Sequence, residues 1–70
     1  MNESQEKLTN SVGAADIATK AAENGDYDQA ETWAQKSDDP TRTYRVCDHR
    51  AAGKGDYAQA QRFGDLADKA

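Results

Sequence analysis

The chain has 70 residues, a formal net charge of −4, a mean hydropathy of −1.11 and a single cysteine, Cys47. That length makes one domain, 1–70, with a thin core and no staple: a lone Cys forms no internal disulfide, and with one His there is no Cys/His cluster spaced for structural zinc, so no metal or cofactor is expected. The acidic balance argues against direct nucleic-acid binding, no apolar run reaches membrane-spanning length, and the polar segment Met1–Asn10 lacks the apolar core of a secretion signal, so the expected location is the cytoplasm.

The first helix is expected near 4–23; matching it to the later sequence starts it near Asn10 or Ser11 and leaves 1–9 as a flexible extension. Gly25 then suits the left-handed residue that ends a helix, and Asp26 suits the cap of the next, expected over 26–37. Gln29, three residues after that cap, completes a capping-box pattern. Asp38-Asp39-Pro40 supplies a cap and a first-turn proline for a third helix, 40–53. Gly55 and Asp56 repeat the stop and start, with Gln59 three residues on, and open a fourth helix over 56–69. Strand patterning is missing, so the fold class is all-α: four helices as two antiparallel helix-turn-helix hairpins, about 10–38 and 39–70.

A shift of thirty residues superposes the decapeptide Ala21–Ala30 on Ala51–Ala60, both carrying Gly-Asp-Tyr-x-Gln-Ala, and aligns Trp33 with Phe63. With these residues in hand, the segment from about 11 to 70 resembles tetratricopeptide repeats, whose second helix opens with Gly-Asp/Asn-Tyr/Phe-x-x-Ala. Gly25, Tyr27 and Ala30 match in the first copy, and Gly55, Tyr57, Ala60, Phe63 and Ala67 in the second. Tyr44 stands where the family has an early aromatic, and Ile17 and Cys47 where it has a leucine. The copies depart from the pattern in their thirty-residue length, shorter than the usual thirty-four, in Ala14 at the early aromatic position, and in Asp48 at a place normally small. Two such hairpins fall short of the roughly three repeats that usually stand alone, so self-association, as a homodimer, or completion by a partner is expected.

Charge is unevenly spread. Residues 1–41 carry −6, residues 42–54 carry +3 from Arg42, Arg45, Arg50 and Lys54 against Asp48, and the remainder carries −1. On a helix from Pro40, Tyr44, Cys47 and Ala51 share one face, while Arg42, Arg45 and His49 share the opposite one. The resemblance implies that the first helix of each repeat lines a concave groove, which places Val12, Ala15 and Thr19 there in the first hairpin and Arg42, Arg45 and His49 in the second.

The expected function is therefore a non-catalytic protein-protein interaction module, an adaptor or inhibitor that takes a peptide or protein surface in a small basic groove, with Trp33 as a further partner-binding anchor. The alternative is an acidic regulatory protein whose carboxylates in 1–39 meet the basic surface of a nucleic-acid-binding protein. No enzyme is expected. His49 lacks a Ser or Cys and a third orienting group, Cys47 faces the packing side, the Asp pairs lack the further ligands of a calcium loop, and Gly53-Lys54-Gly55 lacks the strand of a phosphate loop.

Overall fold

A computed structural model of the chain describes residues 13–70. These form four helices and no strand: α1 Gly13–Glu23, α2 Tyr27–Lys36, α3 Pro40–Gly53 and α4 Tyr57–Lys69. The part of the first helix expected over 4–12, and the extension 1–9, lie outside the described residues. The other boundaries fall within a residue of expectation, because Asp26, Asp56 and Ser37 stand as caps just outside their helices. No helix among the described residues is long and apolar enough to cross a membrane.

The turns follow from the glycines. Gly25 and Gly55 have φ of +82° and +85°, a region that costs any side-chain-bearing residue strain. After α1 the Asp26 amide donates to the Ala21 carbonyl at 2.8 Å and the Gly25 amide to Ala22 at 3.1 Å; after α3 the Asp56 and Gly55 amides repeat this on Ala51 and Ala52, both at 3.0 Å. This is the double hydrogen bond that satisfies the last carbonyls of a helix around a left-handed residue. The short turns leave α1 packed on α2 and α3 packed on α4, with α1 and α2 also against α3.

The core is largely alanine. Ala14, Ala18 and Ala22 of α1 and Ala30 and Ala34 of α2 are fully buried, which lets helix backbones approach closely while adding little apolar area. Large side chains enter in the second half: Phe63 and Cys47 are the largest fully buried ones, and Phe63 lies 6.1 Å from the Tyr27 ring and 6.4 Å from the Tyr44 ring, centroid to centroid. Ile17, Trp33, Val46 and Leu66 are half-buried, whereas Tyr57 is 72% exposed.

Asp48, anomalous as a small-residue position, is accommodated by Gly64 of α4. A Cβ at Gly64 would lie 3.2 Å from the Asp48 carboxylate, so the missing side chain on one helix makes room for the extra one on the other. Thirty residues earlier the same two places hold Ala18 and Ala34.

Candidate functional site: an arginine stripe on α3

The Asp39 carboxylate accepts from the Arg42 amide at 3.2 Å and Pro40 occupies the first turn, which fixes where α3 begins and hence its rotational phase. That phase turns Thr43, Tyr44, Cys47 and Ala51 inward and leaves Arg42, Arg45 and His49 exposed. At spacings of three and four residues, these side chains are neighbours along one line of the helix surface.

The three do not share one groove. Arg42 borders a furrow between α1 and α3 with Ala15, Thr19 and Val46, closed by Asp38 and Asp39. Arg45 and His49 border a second furrow, between α3 and α4, together with Asp48, Asp65 and Asp68. The stripe is therefore a ridge between two furrows that each contain carboxylates. Ala15 and Thr19 do face the Arg42 furrow, while Val12 lies outside the described residues. Trp33 sits apart on α2, half-buried against the core, with the Lys36 ammonium 4.8 Å from its ring, and lines neither furrow.

The ion pairs sort the charged groups into two kinds. Arg50 reaches Glu23 at 2.9 Å, Arg62 of α4 pairs with Glu31 and lies 3.9 Å from Asp28 on α2, and Lys20 pairs with Asp16 at 3.4 Å. Arg42 and Arg45 form no ion pair among the described residues. Each carries the donors of a planar fork suited to a carboxylate, none of them engaged among the described residues.

Cys47 is fully buried, and burial pushes its thiol up to about 11, only partly opposed by Arg50; the thiol donates to the Ala18 carbonyl at 3.8 Å. It is protonated at neutral pH and faces away from the stripe. Burial also raises Tyr44.

The capping boxes expected at both repeats are incomplete. Asp26 accepts from the Gln29 amide at a long 3.4 Å, whereas Asp56 makes no such bond; its carboxylate takes the Tyr27 hydroxyl at 2.5 Å, and the Gln59 side chain accepts from Arg62 at 3.1 Å. Sequence reasoning missed this Tyr27–Asp56 bond and the Arg62–Glu31 pair, both of which join the first repeat to the second. Their signal lay in the differences between copies: Arg62 and Glu31 align with Thr32 and Gln61, so each charge has its partner only across the junction. Compared with protein-family models, curated proteins and solved structures, the chain matches none.

Proposed function

We propose that the chain is a non-catalytic interaction module of two antiparallel, tetratricopeptide-like hairpins, an adaptor or inhibitor whose α3 stripe of Arg42, Arg45 and His49 receives an acidic peptide segment or a C-terminal carboxylate. The observation that carries it is the contrast in pairing: Arg50 and Arg62 are committed to Glu23 and Glu31, while the exposed Arg42 and Arg45 have no ion pair among the described residues. Two adjacent guanidinium forks on a rigid helix bind carboxylates bidentately, and the preset helix limits the ordering cost. Because the stripe stands as a ridge, an extended partner crosses it and lays apolar side chains beside Ala15 and Val46.

The same contrast bears on the alternative, an acidic surface in 1–39 that meets a basic protein, since Glu23 and Glu31 of that surface already hold Arg50 and Arg62. Titrating the ¹⁵N-labelled chain with a Glu-rich peptide ending in a free carboxylate tests the proposal. Amide shifts are expected to concentrate at Arg42, Arg45 and His49 and to shrink as salt is raised. Shifts confined to α2, or appearing only with a Lys-rich peptide, contradict it.

A further inference from the structure

Tyr27 and Tyr57 are equivalent in the repeat, yet one is engaged and the other bare. Tyr27 lies across the junction between the repeats, its ring 6.1 Å from Phe63 and its hydroxyl on Asp56 at 2.5 Å. Tyr57 opens α4 as Tyr27 opens α2 and is 72% exposed, the exposed large apolar side chain of the described residues. The thirty-residue shift that maps Tyr27 onto Tyr57 also maps Phe63 back onto Trp33 and Asp56 back onto Asp26. The chain thus carries, at its other end, the residues that a bare Tyr57 lacks.

We infer that copies of this chain associate head to tail, with Tyr57 of one copy packing on Trp33 and donating to Asp26 of the next, as Tyr27 does with Phe63 and Asp56 inside the chain. Three observations converge on a second copy as the occupant. Trp33 is only half-buried where Phe63 is wholly so. Asp26 caps its helix at a loose 3.4 Å and accepts from no tyrosine among the described residues, whereas Asp56 makes no cap bond and takes the Tyr27 hydroxyl. Around the contact, the places of Glu31 and Arg62 are held by Gln61 and Thr32, so joining the two ends buries no unpaired charge at these positions. The contact also lacks the Arg62–Glu31 ion pair, and so is weaker than the junction it imitates.

A head-to-tail contact uses two different surfaces, so each copy keeps one of each free, and growth is open unless the rotation closes a ring. This contact lies away from the α3 stripe and does not depend on it.

Sedimentation equilibrium of the full chain over a wide concentration range reads the association directly, and emission of Trp33, the single tryptophan, reads its site. The average mass is expected to rise with concentration while the emission shifts to the blue. Tyr57→Lys and Trp33→Ala are each expected to sediment as monomers, and an equimolar mixture of the two as a 1:1 dimer, since one supplies an intact Tyr57 and the other an intact Trp33. Asp26→Ser, which keeps a capping oxygen but removes the carboxylate, replaces Trp33→Ala in the mixture if circular dichroism shows the latter unfolded, and is itself expected to weaken association several-fold. Arg42→Ala with Arg45→Ala leaves the association intact. A wild-type chain that stays monomeric at every concentration, a Tyr57→Lys variant that still associates, or a mixture that fails to form the dimer overturns the inference.

Discussion

Asp26 and Asp56 sit in the same hexapeptide context and do different things. The difference comes from what lies opposite: Asp56 has Tyr27 across the junction, and Asp26, among the described residues, accepts from its own helix alone. The hydrogen bond to Asp56 is the main cause, with burial and the Asp56 charge adding to it, that pushes Tyr27 up from 10.0 to about 12. Because the folded state holds this proton more tightly, the associated stability is present in full below pH 10 and is lost as pH rises through about 12. Cys47, pushed from 9.0 to about 11 by burial, works in the same direction over a lower window. The denaturant midpoint is expected to stay level up to pH 9 and fall beyond it, with Tyr27→Phe removing the upper part of the fall and Cys47→Ala the lower. A midpoint that rises over this range contradicts both assignments. At neutral pH, Cys47 in the folded chain is also expected to resist thiol reagents and to react promptly once denaturant is added. The equivalence of the two aspartates was legible in the sequence; their divergence was not, because a side chain thirty residues away decides it.

At the scale of elements, the turns and helix starts were the most legible features, since glycine, the caps and Pro40 act within a few residues of themselves. Gly55, at φ +85°, and Gly53, helical with nothing within 4 Å of its missing Cβ, offer a matched contrast. Gly55→Ala is expected to cost about 1–2 kcal/mol, and Gly53→Ala to add up to about 1 kcal/mol, less if fraying at the helix end dilutes it. Denaturant titration of both variants checks this, and equal effects would contradict the turn geometry. The Asp48–Gly64 contact belongs at this scale too. Gly64→Ala alone sets its helix-propensity gain against a 3.2 Å approach to the Asp48 carboxylate, whereas with Asp48→Ala it recreates the Ala18/Ala34 pair of the first repeat and is expected to recover about 1 kcal/mol. A double-mutant cycle with no coupling would show that the two positions do not interact. The sequence marked Asp48 as a departure but left its answer hidden, because the compensating glycine lies on another helix.

In the whole molecule, alanine faces bring the helices together and a small aromatic cluster of Tyr27, Tyr44 and Phe63 supplies the large side chains at the junction. Phe63→Ala is expected to cost about 3–5 kcal/mol, a large share of the stability of so small a domain, and to broaden its thermal unfolding. The helical class and the order of the four elements could be read from spacing alone. The shape of the candidate site could not: one helical face correctly grouped Arg42, Arg45 and His49, but only the packing of α1 and α4 on either side of α3 makes that face a ridge between two carboxylate-bearing furrows. The pairing of charges among the described residues then separates arginines that hold a carboxylate from Arg42 and Arg45, which hold none there, and the proposed function rests on that separation. The most direct measurement is quantitative affinity capture from the native cell with three baits: the wild-type chain, Arg42→Glu with Arg45→Glu, and Glu23→Lys with Asp28→Lys and Glu31→Lys. A protein retained by the wild type and by the lysine variant but lost by the glutamate variant is the expected result; retention by the glutamate variant with loss on the lysine variant contradicts the account.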